Sequence, residues 1–373
     1  MKVAIVHDQL CEFGGSERVL VALKKIFPGA DVYTLVYNYY SLGTHKRLFD
    51  GWKIRQSWFG SIPFVRNFYS PFRFLTPLIW ESFDFSKYDL VISSSGSWMS
   101  KGIRTKKPTV HISYIHHPPR YLYGYETALE WQKYWIVRMY AYIVNHFLRI
   151  WDYHSTARPD FLIANSNETK CRIAKFYRRQ SHVIYPPVDI PEKSSYLNKG
   201  DYFLTVSRLA RAKHIDVIIR AANKIKFKLK IIGTGRDEEY LKSLAGPTVE
   251  FLGNVSDQKF EKINKQARAF LFASRDEEFG IAAVEAMGYG LPVIAYRSGG
   301  VPEYVKDGVN GFLFDRLDED SLSSQVKELN RMNPDKYTKM RVQARKTAER
   351  FTFDRFKKNI LSFTSSLLKK ERT

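Results

Sequence analysis

Cysteine is nearly missing from this chain. Cys11 and Cys171 are the two thiols among 373 residues, too few for a disulfide framework, and no Cys/His spacing that would hold zinc accompanies them. Long apolar runs are missing as well: none approaches the roughly 20 residues that a membrane-spanning helix needs. The opening MKVAIVHDQL meets His7 and Asp8 too soon for the apolar region of a secretory leader. These absences lead to the expectation of a reduced, cytoplasmic protein. Acidic residues are in deficit, 38 against 59 Lys and Arg, so the net charge is +21. Such an excess attracts polyanions, whether anionic lipid, nucleic acid or phosphorylated small molecules.

Aromatic residues are plentiful, and one stretch mixes them with cations. FVRNFYSPFRFLTPLIW, residues 64–80, sets Arg66 and Arg73 among rings and aliphatic side chains. That composition suits a membrane headgroup layer, and it equally suits a helix packed on a sheet. An anionic membrane surface is the expected macromolecular contact, with the protein peripheral at the inner face. Nucleic acid is not expected, because no binding module and no repeating base-stacking arrangement are present.

KVAIVHD is a short, β-branched run of the kind a buried parallel strand requires. A glycine pair and a helical period follow it in FGGSERVLVALKKIF. Further strand-like runs, ADVYTLVY, YDLVISSS, PTVHISYIH and DFLIANS, alternate with helical stretches, including a long one around Leu129 to Trp151. After VIYPPVD and a polar connection the pattern restarts with DYFLTVS, LKIIGTG, VEFLGNV, AFLFAS and LPVIAYR. Two such arrays predict two Rossmann-like α/β domains. Residues 1–190 form the first and 200–350 the second, the boundary falling near Pro191 to Gly200, with 351–373 a C-terminal amphipathic helix. Two sheets facing across a crevice would gather ligands at the carboxyl ends of their strands.

Several residues stand at those strand ends. Gly14 and Gly15 form a strand-to-helix turn that lets backbone N–H groups approach a phosphate, although a plain tight turn has the same composition. The full G-x-G-x-x-G fingerprint of dinucleotide enzymes is missing. His116 and His117 stand where a strand stops against Pro118 and Pro119. Arg208 and Lys213 follow the first strand of the second array, where two cations and a helix dipole can neutralise a diphosphate. Glu277 falls in an acidic loop and Glu285 inside the helix that begins near Gly280. Carboxylates there are suited to accepting hydrogen bonds from sugar and ribose hydroxyls. Asp318, Glu319 and Asp320 imitate a D-x-D metal motif, but acidic residues at a helix start are ordinary, and no metal or other cofactor is expected.

These motifs resemble the retaining GT-B glycosyltransferases of family 4 over nearly the whole chain. EEFGIAAVEAMGYGLPVIA is similar to the family's E-x₇-E region, with Glu277 and Glu285 as the pair, and VSRLARAK to its R-x₄-K element, with Arg208 and Lys213. SGGVPEYVKDGVNGFLF, GGSERV, IANSNETKCRI and VIYPPVD are similar to other family segments. SYIHHPPRYLYG resembles the strand end of a subgroup that includes many bacterial mannosyltransferases, with His116 in the active-site position. His117 here replaces that subgroup's usual small hydroxyl residue.

The resemblance implies transfer of a hexose, mannose from GDP-mannose by the subgroup, to a glycan or lipid-linked acceptor with retention at the anomeric carbon. Glu277 and His116 would be the catalytic residues. Gly14, Gly15, Arg208, Lys213, Phe279, Gly280, Ile281 and Glu285 would bind the donor, and Asn254 and Val255 would stand by its base. Glu285 would hold the ribose, Arg208 and Lys213 the leaving diphosphate. The C-terminal helix would cross back to the N-terminal domain. Two other functions share parts of this pattern: a sugar-nucleotide 2-epimerase on the same scaffold, and a non-enzymatic basic protein of membrane surfaces.

Overall fold

The short apolar runs become interior strands of two parallel sheets in the computed structural model, which describes residues 1–66, 68–127, 134–192 and 200–370. Part of the expected interdomain connection, 193–199, and the expected helix start at Leu129 lie outside these residues. The chain divides into two units, one drawn from Met1–Tyr125, Glu130–Pro187 and Phe353–Thr373, the other from Glu126–Leu129 and Val188–Thr352.

In the first unit the strands are β1 (Val3–His7), β2 (Asp31–Thr34), β3 (Ile54–Gln56), β4 (Leu90–Ser95), β5 (Val110–Ile115), β6 (Phe161–Ala164) and β7 (His182–Val183). They form a parallel sheet in the order β3-β2-β1-β4-β5-β6-β7. Every residue of β1, β4 and β5 is buried, which is why these strands are continuous apolar or small runs rather than alternating ones. The helices are α1 (Gly15–Ile26), α2 (Thr76–Glu81), α3 (Trp135–Ser155) and α4 (Asn167–Tyr177).

The second unit repeats the plan. Its strands are β8 (Tyr202–Val206), β9 (Lys228–Ile232), β10 (Val249–Gly253), β11 (Ala269–Phe272), β12 (Val293–Tyr296) and β13 (Gly311–Phe314), in the order β10-β9-β8-β11-β12-β13. All pairings are again parallel. Its helices are α5 (Ile215–Ile225), α6 (Glu238–Leu244), α7 (Asp257–Gln266), α8 (Ile281–Gly288), α9 (Glu319–Arg331) and α10 (Pro334–Ala348). The last helix, α11 (Phe353–Lys370), returns to the first unit. Its Phe356, Ile360 and Leu367 are buried in one core with Val3, Leu20, Ile92 and Tyr114. Two Rossmann-like domains, as the alternation predicted, and a returning helix, as the resemblance implied, are consistent with the GT-B architecture.

Three strands were not anticipated. β3 and β7 have three and two residues, too few to show a period, and β13 sits inside the Gly-rich run VNGFLF. Residues 64–80 are not one helix. They are 3-10 turns at Pro63–Arg66 and Ser70–Leu75 followed by the six-residue α2; Pro63, Pro71 and Pro77 interrupt the helical hydrogen-bond ladder. Ile79 and Trp80 enter the core, while Phe64, Phe68, Phe74 and Leu78 stay exposed. β5 ends at Ile115, so His116 and His117 stand just past the strand end, before Pro118.

Candidate active site

A doubly wound sheet leaves a gap at its carboxyl edge where the strand order reverses, because the connections on either side run to opposite faces. In the first unit the reversal lies between β1 and β4, and four polar side chains converge there. Ser94 Oγ lies 2.7 Å from His116 Nε2 and 3.0 Å from His7 Nδ1. His7 Nε2 lies 3.2 Å from Glu17 Oε1, so the chain runs Glu17–His7–Ser94–His116. All four are buried, His116 at 8% exposure.

Burial pushes the Glu17 carboxyl up, but the hydrogen bond and charge of His7 and the Ser16 hydroxyl outweigh it and hold Glu17 below its usual range. An ionised Glu17 accepts from His7 Nε2–H. Ser94 Oγ thus bridges the two imidazoles, His7 through Nδ1 and His116 through Nε2. The backbone holds the ring in place, with His116 N–H donating to the Ser95 carbonyl at 2.8 Å.

Glu17 also accepts from the Gly14 N–H at 2.7 Å. That donor is therefore used within the turn, where it caps α1, and Gly15 opens the helix. His117 Nδ1 lies 3.0 Å from the Pro118 carbonyl, and a Cβ on Gly96 would come within 3.2 Å of its Nε2. Asp8, beside His7, is structural: it accepts from the N–H groups of Gly96, Trp98 and Ser100 at 2.9, 2.7 and 2.9 Å, fastening the loop after β4.

In the second unit the reversal lies between β8 and β11. Lys213, at the end of a 3-10 turn before α5, donates to Glu277 Oε2 at 2.6 Å. Both side chains are about one-fifth exposed, at 20% and 19%. The cation expected at the diphosphate and the carboxylate expected at the sugar thus meet across the reversal. Arg208 is exposed and stands two residues past the end of β8. Its neighbours are gripped by the turn after β9: Ser207 N–H donates to the Ile232 carbonyl and Leu209 N–H to the Thr234 carbonyl, each at 3.0 Å. A Cβ on Gly233 would stand 2.0 Å from the Ser207 oxygen and one on Gly235 2.2 Å from that of Leu209.

A second glycine pair positions Glu277. Gly300 N–H donates to the Glu277 carbonyl at 2.8 Å, and Gly299, with φ of +60°, lies so close that a Cβ would be 2.0 Å from the same oxygen. Gly280, φ +83°, is the N-cap of α8, and Ile281 is its first residue. Phe279 points into the core against Tyr304 and Phe351, with ring centroids 5.4 and 5.1 Å away. Only its backbone can serve a donor. Glu285 is buried within α8. Asn254, exposed, and Val255, half-buried, follow β10, whose last residue, Gly253, accepts from Gly233 N–H at 2.9 Å.

The sequence had singled out neither Ser94 nor the pairs Gly233/Gly235 and Gly299/Gly300 as site residues. GTG directly after β9 and SGG just past β12 were the available signals for the glycines; nothing in SSS distinguished the middle serine. Among the described residues, no group of three or more His, Cys, Asp or Glu is arranged to hold a metal ion. Asp318 instead caps α9, accepting from Ser321 N–H at 2.7 Å. Cys11 and Cys171 are not bonded to each other.

The family described as Glycosyltransferase Family 4 matches residues 13–192, and Glycosyl transferases group 1 matches residues 189–348. An uncharacterized glycosyltransferase of Methanocaldococcus jannaschii is 31% identical over 182 residues, covering 47% of this chain and 51% of the relative. Human alpha-1,3/1,6-mannosyltransferase ALG2 is 25% identical over 252 residues, covering 58% of this chain and 60% of the relative. The chain spans about half the length of the curated relatives it matches. Anabaena HepE, solved with UDP and glucose, superposes with a TM-score of 0.72 at 18% identity, covering 98% of this chain and all of that one. At that identity the likeness is one of fold. The two family matches join end to end across both sheets and both strand-order reversals, and the chain belongs to the family 4 glycosyltransferases of the GT-B class.

Proposed function

We propose that this protein transfers a hexose from a nucleoside-diphosphate sugar to a glycan or lipid-linked acceptor, with retention at the anomeric carbon. The observation that carries the reading is the Lys213–Glu277 pair at 2.6 Å at the reversal of the second sheet, with Arg208 on the same loop after β8. Lys213 and Arg208 take the leaving diphosphate as its charge develops. Glu277 takes the sugar hydroxyls. Gly280 and Ile281 offer backbone donors at the start of α8, Glu285 is assigned to the ribose, and Asn254 and Val255 to the base. His116 orients the reacting sugar, its ring set by Ser94 and His7. Gly15 contributes from the start of α1, where a helix N-terminus favours an anion.

Mannose from GDP-mannose is the donor we assign, by likeness to the mannosyltransferase subgroup at SYIHHPPRYLYG. The place of action is the cytoplasmic face of a membrane, as net charge +21 favours. A thermal-shift screen with GDP, UDP and ADP and their sugars tests the donor. Selective stabilisation by GDP and GDP-mannose supports the assignment. Selective stabilisation by UDP would overturn the base and leave the transferase standing.

A further inference from the structure

A helix that is apolar all round is normally buried on every side or surrounded by lipid. α3 is apolar on two faces, and only one of them is covered. Ala141, Leu148, Asp152 and Ser155 form its buried stripe. This stripe is fastened by Lys101, whose Nζ lies 2.6 Å from Asp152 Oδ1 and donates to Ser155 Oγ at 3.0 Å. The other face carries Ile136, Met139, Ile143, Phe147 and Ile150 at helical spacing, all exposed, with Phe147 at 66%. Trp135 and Tyr142, at 63% and 83%, flank them.

The exposed rings of residues 64–78 adjoin this helix, since the Tyr140 hydroxyl donates to the Pro71 carbonyl. Phe64, Phe68, Phe74 and Leu78 thereby extend the apolar face. A contiguous run of exposed apolar side chains like this marks a contact surface. Its charge says for which partner. From Phe64 to Trp80 there are two Arg (Arg66, Arg73) and no Asp or Glu; from Tyr134 to Trp151 there are Arg138 and Arg149, both exposed, and again no acid. Asp152, the first acid on α3, faces inward to Lys101. Among the described residues no helix is long and apolar enough to cross a membrane.

We propose that α3 and the turns beside it dock flat on an anionic lipid bilayer, rings at the headgroup level and apolar side chains just below it. Trp and Tyr flanking an aliphatic stripe, with basic residues and no acids, match the interfacial depth profile. The inference rests on the reading of a membrane-apposed transferase and adds the surface that makes the contact.

The test is co-sedimentation of the full chain with phosphatidylcholine vesicles, with and without phosphatidylglycerol, at low salt. The wild type pellets with the anionic vesicles. Ile143→Asp/Phe147→Asp reduces the bound fraction at least about tenfold, as two charges in place of two apolar anchors should, with an unchanged melting temperature. Should that variant melt early, Tyr142→Ser, at the most exposed ring of the helix, is read instead, for a loss of about threefold. Wild type left in the supernatant, or variants that bind as well as wild type, would overturn the proposal. So would a dimer in gel filtration that the substitutions split while vesicles bind neither form. Nucleotide thermal shifts on the same samples separate the two readings: they persist in the α3 variants, and their absence from wild type would count against the transferase reading, whatever the vesicles show.

Discussion

Lys213 and Glu277 are 64 residues apart in sequence and 2.6 Å apart in space. The pair joins the loop after β8 to the loop after β11, across the one place in that sheet where the strand order reverses. Neither group is deeply buried, so the ion pair itself contributes modestly to stability. Its consequence is positional: each side chain is held where a ligand can take it over.

Lys213→Ala and Glu277→Ala should therefore separate the two halves of the donor. Loss of the lysine weakens nucleoside diphosphate and nucleotide sugar alike, by roughly tenfold to a hundredfold for a charged hydrogen bond. Loss of the carboxylate weakens the nucleotide sugar and leaves the bare diphosphate within about threefold. Titration calorimetry with both ligands on both variants reads this directly; equal losses for both ligands in Glu277→Ala would remove Glu277 from the sugar.

The Glu17–His7–Ser94–His116 chain makes a second prediction. Ser94→Ala and Glu17→Gln leave His116 on its backbone anchor but remove the hydrogen-bond chain that orients its ring. Turnover should fall about tenfold or more, the equivalent of one hydrogen bond in the transition state, with donor KM little changed. A purely structural role would lower the melting temperature and leave the pH profile of kcat where it was. A shifted profile supports the positioning role.

How much of this was legible in the sequence depended on distance along the chain. KVAIVHD and DYFLTVS each show a buried strand in a few consecutive residues, so the two domains could be read. Glu277 and Gly280 belong to one local motif and could be read too. Ser94 could not, because its meaning comes from His7 and His116, brought to it by the register of β1 and β5 on β4. Gly299 left a signal in SGG, but its φ of +60° and its approach to Glu277 exist only after the fold does. In 64–80 the composition pointed to two environments, and Pro71 and Pro77 divided the segment between them.

Gly299→Ala should expose that dependence. A Cβ at positive φ costs about 1–2 kcal/mol, and here it also meets the Glu277 carbonyl at 2.0 Å. The expected outcome is a lower melting temperature and an activity loss larger than the stability loss accounts for. Gly29→Ala is the control: nothing lies within 4 Å of its added Cβ, so it should be neutral or stabilising by up to about 1 kcal/mol. Unaltered activity in Gly299→Ala would show that the loop holds Glu277 without the glycine.

His111 gives the pH dependence of the fold. Burial, helped by the charges of Arg179, Arg158 and Lys101, pushes its pKa down to about 3. Its Nε2 lies 2.9 Å from Ser93 Oγ, which donates onward to Ser113, so the neutral ring donates. The unfolded chain binds a proton at this residue between pH 6.5 and 3 and the folded chain does not, so stability falls as pH drops through that window. For this group alone, denaturant unfolding should show roughly 2 kcal/mol lost between pH 7 and pH 5. His111→Gln should flatten that slope; an unchanged slope would assign the loss to other groups.

The most direct test of the central claim follows the donor itself. Anomeric proton NMR of GDP-mannose, incubated with the protein and a membrane lipid extract, reports both bond cleavage and configuration. The account predicts release of GDP, a product sugar in the donor's own anomeric configuration, and near-abolition of both in Glu277→Ala. Conversion of the donor to its C2 epimer with no nucleoside diphosphate released would contradict it, as would GDP-, UDP- and ADP-sugars all left unconsumed.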